Sequence, residues 1–306
     1  MRIVTFTPKS APSSTPRAGA LLPDGLHVLN FAVAVDASAD VPPMAWLDLG
    51  DEWLPKARQI HDQLARNMTR VETLPRGSVL VLADLELGPP VPRPGKLICV
   101  GLNYKDHAAE SNMAVPKSPV TFSKYVTSVI GEHKAIRLPA ASSQVDYEAE
   151  LAVVIGRRAK HVPVGKAWDY VLGYSNLNDV SARDLQFADG QWQRGKSCDT
   201  FAPIGPAIVT HDAVGNPHEL RIQLRLNGKT MQDSSTDQLI FGIDQIVSFL
   251  SQTVTLEPGD VIATGTPPGV GFARKPPVFL KPGDVVEVEV EGLGVLSNPV
   301  VADQGR

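Results

Sequence analysis

The chain has 306 residues, 43% hydrophobic and 20% charged, with Lys+Arg 29 against Asp+Glu 33 and a formal net charge of -4. Such a chain buries a sizeable core, which excludes disorder as a general description, and it lacks the basic excess of a nucleic-acid binder. Two cysteines, Cys99 and Cys198, are too few for a disulfide framework or a thiolate zinc site, and no apolar run approaches the roughly 20 residues that span a bilayer. With no membrane segment and no clear targeting signal, the expected location is cytoplasmic.

Residues 1–23 contain no acid and several Ser, Thr, Arg and Lys, as a transit peptide would. The runs 2–6 and 26–31 nevertheless read as two strands flanking a Pro/Ser loop, with Asp24-Gly25 as turn punctuation, so a folded amino terminus is expected. Between Asp51 and Arg70, Trp53, Leu54, Ala57, Ile60, Leu64 and Met68 recur at spacings of three and four, which predicts an amphipathic helix. Dense Pro/Gly punctuation at 87–95 marks a boundary, giving a small N-terminal domain over 1–75, a linker over 76–95 and a main domain over 96–306. There, Val/Ile-rich runs at 96–100, 148–155, 220–226, 260–264 and 284–290 predict strands, and 171–178 reads as a further buried strand. One helix is predicted over 237–253, capped by Thr236 or Asp237, with Ile240, Ile243, Ile246, Val247 and Leu250 on one stripe. The fold class expected is α+β, β-dominated.

The most informative stretch is Asp146-Tyr147-Glu148-Ala149-Glu150 entering the apolar run to Ile155. Residues two apart on a strand share a face, so Glu148 and Glu150 point the same way. Buried, they would need a positive partner, and a hard divalent cation with oxygen ligands would serve; at a solvated strand edge they would be ordinary acids. Asp179, at the end of the 171–178 strand, supplies a third carboxylate suited to Mg2+ or Mn2+. His107 and Glu110 are spaced so that on a helical turn the carboxylate faces the imidazole and raises its basicity, a water-activating dyad or else an exposed pair. Arg183, Gln186 and Lys196 supply donors for an oxyanion or a substrate carboxylate. The loop 265–271 is rich in glycine and could offer backbone N–H groups to an anion or simply connect strands.

One motif is refused. Residues 190–197, GQWQRGKS, match the P-loop pattern letter for letter. A P-loop follows a buried strand and opens a helix, whereas 182–189 is charged and Pro203 and Pro206 stand soon after.

Taken together and in order, Gly101–Tyr104 leading to His107 and Glu110, Pro119–Lys124, 146–155, Asp179–Gln186, Gly195–Pro206, Ala263–Gly271 and Lys275–Lys281 resemble the fumarylacetoacetate hydrolase superfamily over roughly 95–302. Phe122-Ser123-Lys124 and 275–281 look most like the domain-containing proteins of the second type. The resemblance implies a mixed β-sandwich roll preceded by a small N-terminal domain, assembled as a homodimer. It implies that Glu148, Glu150 and Asp179 bind Mg2+ or Mn2+, that His107 and Glu110 lie on a mobile lid, and that Lys196 is catalytic. Arg183, Gln186, Thr266 and, less directly, Lys124 match positions that hold substrate oxygens.

The activity expected first is metal-dependent hydrolysis of the C–C bond of an acylpyruvate, such as fumarylpyruvate or acetylpyruvate, giving pyruvate and a carboxylic acid. In that reading His107, oriented by Glu110, activates water, and Lys196 stabilises the oxyanion with Arg183 or Gln186. Fold and motif do not choose among the reactions of such a site. Oxaloacetate tautomerisation or decarboxylation, a sugar-acid hydrolase of the didehydro-deoxy-rhamnonate kind and a non-catalytic metal-stabilised scaffold are the alternatives.

Overall fold

The computed structural model describes residues 1–35, 53–110 and 114–303. Its largest sheet has ten strands along one path, from the edge inward 79–81, 27–30, 17–21, 2–8 and 202–210, then 171–178, 149–155, 261–263, 97–101 and 120–123. Leu85–Gly88 also pairs with Arg2–Pro8, and Val129–Ile130 lies parallel to Ala202–Thr210. A second sheet runs 229–235, 221–226, 285–290, 294–302 and 136–138, and Val145–Asp146 pairs with Ser181–Ala182 in a short third one. This is the strand-dominated α+β architecture expected.

The two central strands, Ala149–Ile155 and Val171–Asn178, are buried along their whole length. Period-two alternation sorts the first by face. Leu151, Val153 and Ile155 pack with Ile222, Leu224, Val286 and Val288 of the second sheet and with Ile243, Ile246 and Val247 of a helix. Ala152 and Val154 face the other way, onto Ile3, Leu29, Ala57 and Leu64 of the N-terminal segment. Glu150 lies on that same second face, paired in register with Leu177.

Several local expectations shift. The N-terminal loop contains a further strand, Arg17–Leu21, paired with Arg2–Pro8 through Ala18 and Ala20, whose small side chains gave no hydrophobic signal. Arg2↔Val209 and Ile3↔Ile208 pairing joins the N-terminal strands to the main sheet, and 76–95 contributes Val79–Val81 and Leu85–Gly88 to it. The first long helix is Trp53–Arg66, and Asn67 ends it by accepting Thr69 N–H at 3.1 Å as a 3-10 turn begins; Asp51 and Glu52 lie outside the described residues. The later helix is Ile243–Thr253, shorter than expected. Thr236 and Asp237 belong to a separate 3-10 turn, and the helix start is closed by His218 Nε2, which accepts Ile243 N–H at 2.9 Å.

Candidate active site

Glu148 and Glu150 flank the first residue of the Ala149–Ile155 strand, and the register Ala149↔Asn178 sets Asp179 beside them. Asp179 N–H donates to the Glu148 carbonyl at 2.9 Å, and Asn178 Oδ1 accepts Glu148 N–H at 3.0 Å. One carboxylate oxygen from each of Glu148, Glu150 and Asp179 falls within 4.8 Å of the others, and all three residues are buried.

Cations are packed around them. Lys196 Nζ donates to Glu148 Oε2 and Asp179 Oδ2, both at 2.7 Å. Arg183 Nη2 reaches Glu148 Oε1 at 2.6 Å and Asp146 Oδ2 at 2.8 Å, while its Nη1 donates to Gln186 Oε1 at 3.0 Å. Lys196 and Arg183 come from the short helices Gln193–Lys196 and Arg183–Gln186. A Cβ on Gly195 would lie 2.5 Å from Gln186 N and 2.6 Å from the Ala182 carbonyl oxygen. The glycine of the refused P-loop pattern therefore admits the neighbouring backbone, not a phosphate. Lys124 Nζ binds Asp179 Oδ1 at 2.5 Å and the Val180 carbonyl at 3.0 Å; its side chain is fully buried and lies off the cavity wall, behind Asp179.

The glycine-rich loop offers its N–H groups to anions, and the anions are the protein's own carboxylates. Gly265 N–H donates to Glu150 Oε2 at 2.8 Å, Gly269 N–H to Glu110 at 3.1 Å and Gly271 N–H to Asp146 Oδ1 at 2.7 Å. At Gly271 a Cβ would sit 1.9 Å from the Val278 carbonyl oxygen, so no larger residue fits there. His107 and Glu110, on the helix Lys105–Glu110, face each other with Nδ1 to Oε2 at 3.1 Å, leaving Nε2 for chemistry.

Two positioning groups escaped the sequence reading. Asp146 accepts from Arg183, Tyr147 N–H, Gly271 N–H and Phe272 N–H, tying the guanidinium to the loop. The alternation that singled out Glu148 and Glu150 includes Asp146 two residues earlier, so the signal was present. Gln232, fully buried in the second sheet, donates to Thr266 Oγ1 at 2.9 Å and accepts Ala149 N–H at 2.9 Å; nothing in its strand's sequence marks it.

Burial would push the Glu148 carboxyl up, but Lys196 and Arg183 outweigh it and hold the group down to about 2. Glu150 goes the other way: burial, then the neighbouring Asp179 and Glu148, raise it well above the usual carboxylate range. Burial alone would lower Lys196, yet Asp179 and Glu148 raise it and keep it an ammonium. Glu150 is the one member of the triad with no ion pair among the described residues. An all-oxygen donor set with one uncompensated carboxylate fits a hard divalent cation.

A cavity of about 370 Å3 opens onto this floor, lined by His107, Glu110, the three acids, Arg183, Gln186, Lys196 and Thr266, with apolar walls that include Phe122, Phe187, Trp192 and Phe272. A wider open groove of about 890 Å3 beyond Phe122 and Trp192 has no carboxylate among the described residues on its walls.

A mixed-sheet fold with a buried carboxylate triad, a paired lysine and a His–Glu dyad at one cavity defines the enzyme class suggested by the sequence. The family model for the fumarylacetoacetate (FAA) hydrolase C-terminal region matches residues 96–301, and the chain belongs to that enzyme family. It is 45% identical over 304 residues to the human oxaloacetate tautomerase FAHD2A, mitochondrial, covering 98% of this chain and 92% of that protein. With the Bos taurus protein of the same name it shares 51% over 284 residues, 90% of this chain and 87% of the other. Among solved structures, the fumarylacetoacetate hydrolase from psychrophilic Exiguobacterium antarcticum superposes with a TM-score of 0.81 at 36% identity, covering 99% of this chain and 100% of that one. The 5-carboxymethyl-2-hydroxymuconate delta-isomerase from Mycobacterium smegmatis superposes at 0.76 and 35%, with the same coverage. The cytoplasmic expectation is corrected: the relatives' names place those proteins in mitochondria, and an unrecognised signal does not fix a compartment.

Proposed function

We propose that the protein is a divalent-metal-dependent oxaloacetate tautomerase, which interconverts the enol and keto forms of that 2-oxo acid. The observation that carries this reading is identity of 45–51% across nine-tenths or more of the chain to proteins named for that activity. It takes precedence over the acylpyruvate hydrolysis expected first from the sequence.

Mg2+ or Mn2+ held by Glu148, Glu150 and Asp179 would supply Lewis acidity toward the substrate's 2-oxygen and adjacent carboxylate. The chain's own groups do the rest. Lys196, kept protonated by its acids, donates a hydrogen bond to the 2-oxygen as charge develops there. Arg183, fixed by Asp146, and Gln186 orient the carboxylate, and Thr266, held by Gln232, adds a hydroxyl. His107 Nε2 delivers a proton to C3 in ketonisation and withdraws it in the reverse direction, with Glu110 fixing the ring through Nδ1. The homodimer that the sequence resemblance implies is proposed as well, and light scattering at graded concentration tests it.

The activity test follows the ultraviolet absorbance of enol-oxaloacetate with Mg2+ or Mn2+ and with chelator, and quantifies pyruvate in parallel. Metal-dependent loss faster than the buffer blank, without pyruvate, is the expected result. Stoichiometric pyruvate from oxaloacetate would instead identify a decarboxylase. Pyruvate from acetylpyruvate, with enol-oxaloacetate untouched, would restore the hydrolase.

A further inference from the structure

The charges on the cavity wall are unevenly spread. Among the described residues, its only lysine or arginine side chains are Lys196 and Arg183, and both sit on the floor, already clasped by Glu148, Asp179 and Asp146. They suffice for one carboxylate and the neighbouring 2-oxygen. A dicarboxylate such as oxaloacetate would then direct its second carboxylate at walls whose described residues offer no further lysine or arginine.

Those walls are aromatic. Phe122 and Trp192 meet edge to face at 5.6 Å between ring centres, and Phe187 and Phe272 meet at 5.6 Å with their planes tilted by 45°. The two pairs lean over the two cations: Lys196 Nζ lies 4.9 Å from the centre of the Phe122 ring, and Arg183 Cζ lies 5.9 Å from that of Phe272. Phe187 and Phe272 are 54% and 46% exposed, so solvent-exposed apolar ring surface borders the place where the acid end of a substrate is held. A volume of about 370 Å3 falls in the range of roughly 300–1,000 Å3 that encloses ligands far larger than a four-carbon diacid.

We infer that this site also ketonises arylpyruvate enols, 2-oxo monoacids carrying a planar apolar group on C3; the inference rests on the tautomerase reading above. The step balances without a co-reactant. The enol O–H gives up its proton as its electron pair becomes the C2=O π bond, and the C2=C3 π pair takes a proton at C3 from His107 Nε2. The released proton returns to the dyad or to solvent. The acid end occupies the floor, and the aryl ring replaces water against the aromatic walls.

The test measures kcat/KM for enol-phenylpyruvate and enol-oxaloacetate side by side, with metal and with chelator, on the full chain and on Phe187→Ala. Phe187 is largely exposed, so its truncation leaves the core intact. Metal-dependent ketonisation of enol-phenylpyruvate above the buffer blank is expected. Phe187→Ala should lower that value roughly threefold to tenfold, the worth of one aromatic contact, and lower the oxaloacetate value by a smaller factor. Turnover of enol-oxaloacetate with enol-phenylpyruvate inert overturns the inference and leaves the tautomerase reading standing. Inertness toward both overturns both. Equal losses for the two substrates in Phe187→Ala overturn the role given to the wall.

Discussion

Two arginines in this molecule are each clasped by two carboxylates at almost the same distances. Arg225, on the outer face of the second sheet, reaches Glu287 at 3.0 Å and Glu289 at 2.7 Å, with 22% of its side chain exposed against 31% and 40% for the acids. Arg183 reaches Asp146 at 2.8 Å and Glu148 at 2.6 Å, with exposures of 7%, 0% and 8%. Contact geometry therefore does not distinguish a functional cluster from a surface ladder; burial does. Water screens the first set and competes for it, whereas the second exists only because every charge is answered within the protein. Glu150, the acid left unanswered, is then where a metal's charge is most wanted.

The largest effect should come from breaking the buried clasp. Arg183→Met strands Asp146 and Glu148 without their shared cation, and the expected loss is about 3–5 kcal/mol in urea unfolding, together with loss of turnover. Adding Asp146→Asn removes one of the stranded charges and should return part of that stability but none of the activity. Additive losses in the double variant would show that the pair is not coupled. Next in size is a purely chemical effect. His107→Ala removes the proton carrier but none of the buried ion pairs, so kcat should fall about 10²–10⁴-fold while Mn2+ binding and the urea midpoint stay near their original values. A parallel loss of metal binding would place His107 among the ligands.

Part of this site was legible because its logic is local. Glu148 and Glu150 share a strand face and His107 and Glu110 share a helical turn, each a fixed period along the chain, and Asp179 follows directly on a predicted strand. Lys196 was legible through resemblance, and its glycine neighbour carried the form of a phosphate loop while doing a packing job that only the helix contact reveals. Gln232 and the sorting of loop glycines onto Glu150, Glu110 and Asp146 were not legible, since they join residues about 80 to 160 positions apart. The same holds for the fold. The central strand 149–155 announces itself by the unbroken apolar run 151–155, while Arg17–Leu21 hides because a strand facing a crowded neighbour uses Ala and Gly: a Cβ on Gly19 would meet the Leu29 carbonyl oxygen at 2.5 Å.

A smaller effect separates the triad's members by pH. Glu148, held down to about 2, lies below its unfolded value of about 4.3, so its contribution to stability is full above that value and is lost as pH falls through about 2. Glu150 is raised by burial and by Asp179 and Glu148, so without metal it costs stability at every pH above its unfolded value. Glu150→Gln should thus raise the urea midpoint of the chelator-treated protein at pH 7, and the gain should vanish near pH 4, where the unfolded carboxyl also keeps much of its proton. The same variant should lose the stabilisation that Mg2+ or Mn2+ confers on the native protein. A lower midpoint at pH 7 in chelator would mean that Glu150 is paired in solution by a group outside the described residues.

The smallest effect completes the comparison. Arg225→Met removes a guanidinium with two carboxylate partners, as Arg183→Met does, yet its acids stay in water and relax away from each other. The expected change is less than about 1 kcal/mol, reduced further in 0.5 M salt, with kcat/KM unaltered. A loss comparable with that of Arg183→Met would mean that the outer sheet face is covered in solution, since only desolvation converts the same clasp into a costly one. Measuring the variant across protein concentration would then show whether a second copy of the chain supplies the cover.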